Sequence, residues 1–137
     1  MIFYFDSSVV LRILLGEPAP LQGWETATGI YASALLPVEV LRTLDRLAVT
    51  RRHTLRRDME RVEAFSEMQR AIRIEPVRGA ILVAASRRHP VVVNALDAIH
   101  IATALTILED EPDLVFATHD KQQAIAATAL GLVVQGV

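Results

Sequence analysis

The sequence contains no cysteine, which excludes a disulfide framework and any thiolate metal site. Lysine is nearly missing as well: of 14 basic residues, 13 are arginine and only Lys121 is lysine. Aromatic residues make up 5% of the chain, too few for the stacking platform that marks single-strand nucleic-acid binders. No apolar run approaches the roughly 20 residues a membrane helix needs. The longest uncharged stretch, residues 122–137, is short and carries Gln122, Gln123, Thr128 and Gln135. The opening Met1-Ile2-Phe3-Tyr4-Phe5-Asp6 has no basic segment and meets an acid at once, unlike a secretory signal. A cytoplasmic protein that engages no membrane is expected. A strong basic excess is also lacking: the net charge is −2, so overall charge does not by itself announce nucleic-acid binding.

What is present is enough for one folded domain. A chain of 137 residues is one domain's length, expected to span 1–137. Hydrophobic residues are 52% of it and the mean hydropathy is +0.33, too apolar for disorder. Half of the basic residues fall between positions 42 and 61: Arg42, Arg46, Arg51, Arg52, Arg56, Arg57 and Arg61. Arginine's planar fork suits phosphate and carboxylate alike. The patch therefore reads equally as an RNA-facing or acid-facing surface and as a solvated helix face laced with ion pairs to Asp45, Asp58 and Glu60. Arg87-Arg88-His89 is a second basic candidate.

Short apolar runs alternate with helical patterns. Residues 2–5 read as a buried strand ending at Asp6, followed by a helix stopped by Gly16-Glu17-Pro18. Residues 21–26 read as a short helix anchored by Trp24, and 29–32 as a second strand. A long helix over 34–51 carries Leu36, Val40, Leu44 and Leu47 at helical spacing. A further helix opens at His53 or Thr54, a strand covers 72–74, and Pro76 starts another helix. Asn94 caps a helix over 95–108, then come a strand over 113–118, a helix over 121–130 closed by Gly131, and a strand over 132–134. This alternation predicts an α/β fold with a parallel sheet covered on both faces.

Open α/β sheets bind ligands beyond the carboxyl ends of their strands. Four acids fall near such places: Asp6, Glu39, Asp97 and Asp120. Gathered together they would raise one another's pKa values, a cost that a divalent cation removes. All-oxygen ligation favours Mg²⁺ or Mn²⁺ over Zn²⁺. Each acid also has a bland reading. Asp6 is a fitting helix cap, Asp97 the far half of a capping box with Asn94, Asp120 a helix first-turn acid, and Glu39 an ion-pair partner for Arg42. Ser7 and Thr118 are candidate hydroxyl partners for a carboxylate or phosphate, with capping as the competing role. His100 shares a helix face with Asp97. A histidine so placed is more often tied to a carboxylate or carbonyl than to a hard cation, and that is the reading here.

At these residues the chain resembles the PIN-domain ribonucleases, and within them the VapC-type toxins of toxin–antitoxin systems. The resemblance rests on four segments. They are the opening strand with Asp6-Ser7-Ser8, then Ser33-Ala34-Leu35-Leu36-Pro37-Val38-Glu39-Val40-Leu41-Arg42, then Leu96-Asp97-Ala98-Ile99-His100-Ile101-Ala102-Thr103-Ala104, and Phe116-Ala117-Thr118-His119-Asp120 with the closing 126–132 segment. It covers essentially the whole chain, and the Asp97 segment is its most specific part. It implies a three-layer α/β/α fold around a five-stranded parallel sheet. It further implies Mg²⁺- or Mn²⁺-dependent cleavage of RNA with Asp6, Glu39, Asp97 and Asp120 as the metal-site acids, an inhibitory antitoxin, and homodimerisation. Asp6 and Asp97 are expected as direct ligands, Glu39 as a water-mediated ligand or general base, and Asp120 at the outer rim. Arg42 follows Glu39 as a supporting residue. His119 stands where the family commonly has a small or apolar residue, and it is left out of the catalytic set as an incidental exposed side chain.

The competing reading keeps the fold and drops catalysis: an inactive PIN-like module that binds RNA or protein. Other α/β classes fit less well. There is no G-x-x-x-x-G-K-[ST] and no G-x-G-x-x-G. A phosphatase of the Asp-x-Asp type is opposed by Ser8, and a phospho-acceptor receiver by the lack of an acidic neighbour to Asp6.

Overall fold

A computed structural model describes residues 1–51 and 53–137. The described residues form five strands, β1 (Ile2–Phe5), β2 (Gly29–Ser33), β3 (Arg73–Glu75), β4 (Leu114–Ala117) and β5 (Val133–Gln135). The helices are α1 (Ser7–Leu15), α2 (Leu35–Arg51), α3 (Leu55–Gln69), α4 (Gly79–Ala85), α5 (Ala95–Leu108) and α6 (Lys121–Ala129). The strands make one sheet in the order β3-β2-β1-β4-β5, parallel at every pairing. The architecture is the expected three-layer α/β fold.

Each face of the sheet has its own core. Strand β1 alternates: Phe3 and Phe5 point to one side, Tyr4 to the other, as a period of two requires. On the first side Phe3 and Phe5 join Val9, Val10, Leu36, Val40, Leu44 and Phe65 from α1, α2 and α3. On the second, Tyr4 meets Ile101, Ala104, Phe116, Ala126 and Ala127 from β4, α5 and α6. Tyr4 stacks on Phe116 with ring centroids 5.2 Å apart. Helix α5 is buried around most of its circumference, including Ala98, Ile101, Ala102, Thr103, Ala104 and Ile107, as an apolar helix held between sheet and neighbours should be.

Three expectations shift. The 21–26 helix reduces to one 3₁₀ turn, Trp24–Thr26, because Gly23 takes φ 78°, outside right-handed helical space. Trp24 still packs on the core. Helix α4 begins at Gly79, not Pro76; Arg78 reaches back to Glu75 at 3.1 Å across the intervening turn. Strands β3 and β5 each start one residue later than expected. The stop at Gly16 holds: it takes φ 64°, and its backbone N–H closes α1 on Arg12 and Ile13.

Strand order fixes where a site can lie. From β1 the chain moves outward to β2 and β3, then returns to the opposite side of β1 with β4. The reversal opens a crevice at the carboxyl ends of β1 and β4. Register puts Phe5 beside Ala117, and the Asp6 backbone N–H donates to the Ala117 carbonyl at 3.0 Å. Asp6 and Thr118 are therefore neighbours at that crevice.

Candidate active site

All four sequence-selected acids gather around this crevice. Asp6 caps α1: its Oδ2 accepts from the Ser8 N–H at 3.0 Å and from Ser8 Oγ at 2.6 Å. It is 6% exposed. Asp97 lies in the first turn of α5, where its N–H donates to the Asn94 side chain at 2.9 Å. That is one half of a capping box, and it leaves the carboxylate facing the crevice neighbours. Asp120 caps α6, its Oδ1 accepting from the backbone N–H groups of Gln122 and Gln123 at 2.8 and 3.0 Å. Glu39, in the second turn of α2, accepts from Ser7 Oγ at 2.6 Å and from His100 Nε2 at 2.6 Å. The caps are real, and they do not compete with the cluster. They fix where each carboxylate sits.

The electrostatics record the crowding. Asp97 is pushed up to about 6, by its own partial burial first and then by the charges of Asp6, Asp120 and Glu39, with His100 opposing. One carboxyl thus feels all three others. His100 is fully buried. Burial pushes its imidazole down, but the Glu39 bond and the charges of Asp6, Glu39 and Asp97 outweigh it, and its pKa is raised. The expectation that His100 is tied to a carboxylate holds. Its Nε2 lies 2.6 Å from Glu39 and 3.7 Å from Asp6, and its Nδ1 is 2.8 Å from the Tyr4 hydroxyl. With both ring nitrogens engaged, the imidazole is a strut behind the acids. Nε2–H donates to Glu39, and Tyr4 O–H donates to Nδ1 while the ring is neutral. Burial, then the Asp6 charge, raise the Tyr4 phenol well above its usual value, so Tyr4 stays protonated.

Other residues fall elsewhere. Ser7 is bound to Glu39. Thr118, fully buried, donates to Gln123 Oε1 at 2.7 Å, lies 3.3 Å from Asp6 Oδ2, and accepts from the Asp120 N–H at 3.0 Å. Arg42 does not join Glu39; its exposed side chain pairs with Asp45 at 2.9 Å. Arg56 likewise pairs with Glu60 at 3.1 Å, and Arg61 reaches His53 at 2.9 Å. Of the patch's described arginines, Arg42 and Arg56 are thus ion-paired on the helix surface; Arg52 lies outside the described residues. His119 is not the incidental exposed residue expected. It is half-buried, its N–H donates to Ser8 Oγ at 2.9 Å, and its Nδ1 meets the Gly136 carbonyl. Gly136 is required there: its φ is 104°, and a Cβ would lie 2.5 Å from the Thr118 carbonyl oxygen.

Sequence reading missed Gln123. It is fully buried, and its Nε2 is 3.3 Å from Asp6 Oδ1 and 3.5 Å from Asp97 Oδ1. A polar residue three positions past Asp120, on an otherwise alanine-rich helix, is the signal that marks it.

The donor set suits a hard divalent cation. It consists of carboxylate oxygens, and Asp97 shows the strain of holding such charges near one another. Among the described residues no three His, Asp or Glu side chains lie together in an arrangement that could hold a metal ion. Hydrogen bonds hold one oxygen each of Glu39, Asp97 and Asp120.

Fold and site together define an acid-centred α/β domain. The chain belongs to the PIN-domain family: the PIN domain model matches residues 3–129. No curated protein matches it by sequence. Its structure is similar to FitAcB from Neisseria gonorrhoeae, with TM-score 0.68 at 20% identity over 98% of this chain and 96% of that one. FitAB bound to an IR36 DNA fragment gives TM-score 0.70 at 17% identity, covering 98% and 94%. VapBC2 from Rickettsia felis, bound to a DNA fragment from its promoter, gives 0.67 at 8% identity, covering 98% of each chain. At these identities the likeness is one of fold.

Proposed function

We propose that this chain is a divalent-metal-dependent endoribonuclease, a single catalytic domain over 1–137, and the VapC-like toxin of a toxin–antitoxin pair. The observation that carries the reading is the meeting of Asp6, Glu39, Asp97 and Asp120 at the sheet's switch point, with Asp97 pushed up to about 6 by its partial burial and then by its neighbours' charges. Asp6 and Asp97 are the proposed direct ligands for Mg²⁺ or Mn²⁺, Glu39 and Asp120 the supporting acids. When bound, such a cation polarises a phosphoryl oxygen of the RNA backbone and acidifies a water for in-line attack on phosphorus. The chain's own residues do the positioning. Ser7 and His100 both donate to Glu39 Oε2, which leaves Oε1 the oxygen for a water or its proton. Ser8 holds Asp6 Oδ2 through its backbone N–H and its hydroxyl.

Two structural neighbours are FitAB and VapBC2, each bound to a DNA fragment; with the resemblance to VapC-type toxins, this supports an antitoxin partner here. So does an apolar groove of about 830 Å³ between α2 and α3, lined by Leu41, Leu55, Met59 and Val62 and containing none of the four acids. Its exposed apolar side chains, rimmed by Asp58, Arg61 and Glu67, are where an apolar face of the partner would dock. A homodimer in the cytoplasm completes the reading.

The test is cleavage of a total RNA pool with Mg²⁺ or Mn²⁺. Wild type cleaves, EDTA stops it, and Asp97→Asn reduces it by roughly 10³-fold or more, the scale of losing a charge that acts in the transition state. Equal cleavage by both proteins would remove the four-acid mechanism and favour the inactive binding module.

A further inference from the structure

Gln123 is a buried primary amide in the first turn of α6, and it touches three of the four acids. Its backbone N–H donates to Asp120 at 3.0 Å. Its side-chain Nε2 lies between Asp6 Oδ1 at 3.3 Å and Asp97 Oδ1 at 3.5 Å. Its Oε1 accepts from Thr118 at 2.7 Å. Ionised carboxylates only accept, so the NH₂ end must face Asp6 and Asp97, which leaves Oε1 to accept from the Thr118 hydroxyl. A buried amide is expensive unless its groups are bonded, and this one spends its two donors on two acids that repel each other. No other side-chain donor among the described residues reaches both. His100 approaches Asp6 only at 3.7 Å and commits its short bond to Glu39.

We infer that Gln123 is a positioning residue that holds Asp6 and Asp97 apart in the cation-free protein, its NH₂ group standing where their charges would otherwise meet and giving way when a divalent cation arrives. The inference rests on the metal-centre reading above. Its bonds to the acids are long ones, at the weak end of the hydrogen-bond range, and are readily exchanged for a cation. The Thr118 bond is short, and it keeps the amide in place from the other side. A glutamine that merely filled the core would support the fold equally with and without a cation. A placeholder supports the cation-free form more.

Thermal unfolding of wild type, Gln123→Met and Gln123→Glu, in EDTA and in saturating Mn²⁺, separates these roles, with Mn²⁺ affinity measured by calorimetry. The methionine keeps the volume and removes the donors; the glutamate turns the donor end into a further carboxylate. The expected result is a Tm loss in EDTA for both variants, larger for Gln123→Glu, with at least half of it recovered in Mn²⁺. By linkage, Mn²⁺ then binds Gln123→Met more tightly than wild type, by about threefold or more. Equal losses in both buffers, weaker Mn²⁺ binding by Gln123→Met, or a variant unfolded in both buffers would each overturn the inference. A wild type whose Tm ignores Mn²⁺ overturns the metal centre instead. The clamp is then decided in EDTA alone, by making Gln123→Met in an Asp97→Asn background. A loss less than half of that in wild type supports it, and an equal loss sinks it.

Discussion

Asp97 is the residue on which charge is most finely balanced. Its folded pKa, about 6, lies above the ordinary 3.8, so the folded chain binds this proton more tightly than the unfolded chain does. Ionised Asp97 therefore opposes folding. Without a cation, its contribution weakens the fold progressively as the pH rises from 3.8 to about 6 and is constant above that. Asp97→Asn in EDTA is expected to match wild type in Tm near the bottom of this window and to exceed it above, the gap opening through the window. A gap independent of pH, or one of opposite sign, would contradict the assignment. His100 runs the same way. Raised overall, it supports the fold fully below its ordinary 6.5 and loses that support as the pH rises through its folded value. Behind it, Tyr4→Phe preserves the stacked ring on Phe116 but strips the partner from His100 Nδ1. Leaving a buried nitrogen unpaired costs about 1–3 kcal/mol, readable as a lower urea midpoint with an unchanged slope.

At the scale of elements, the acids are placed by helix starts. Asp6 and Asp120 are N-caps of α1 and α6, and Asp97 follows the N-cap of α5. An N-terminus offers unpaired N–H groups and a positive dipole end, so three helices converge their favourable ends on four negative side chains. Capping and site roles can be separated at Asp120. Asp120→Asn keeps an acceptor for the Gln122 and Gln123 N–H groups, so stability should stay within ~0.5 kcal/mol while Mn²⁺ binding weakens. Asp120→Ala should do both, losing about 1 kcal/mol as well. Chemical denaturation and calorimetry on the pair distinguish them; an Asn variant that binds Mn²⁺ like wild type would leave Asp120 with the cap alone. The helix starts were largely legible in the sequence, because Asn94, Thr54 and Asp6 are strong local signals. Helix α4 was not: Pro76 permits a start, but Arg78 is still extended, at φ −85° and ψ 162°, and the helix begins at Gly79.

For the molecule as a whole, the sheet separates two surfaces. The acids sit beyond the carboxyl ends of β1 and β4, while the α2–α3 groove is walled by Leu41, Leu55, Met59 and Val62. On the proposed function, catalysis and inhibition are then open to separate mutation. Met59→Glu changes a side chain 63% exposed, so the fold should be affected by less than ~0.5 kcal/mol and RNA cleavage should persist. Growth arrest on expression should no longer be relieved by the product of the adjacent reading frame, because a charge in an apolar groove must be desolvated on docking. Relief equal to that of wild type would move the antitoxin contact away from this groove.

The sequence by itself determined the alternation of strands and helices, the two-sided core and the four acids. Each of these is a local pattern: a run of apolar residues, a period, a cap, a motif around Asp97. It also offered Asp6, Asp97 and Asp120 innocent roles at helix starts, which proved true without being the whole account; the ion pair it offered Glu39 did not form, because Arg42 pairs with Asp45. Only the tertiary structure decided that the caps converge, because convergence depends on β4 returning to the far side of β1. Only it revealed the supports: Tyr4 and His100 behind Glu39, His119 buttressed by Gly136, and Gln123 between Asp6 and Asp97. These partners lie as many as 117 residues apart in the chain. No periodicity or spacing connects residues so distant; the register of a parallel sheet does.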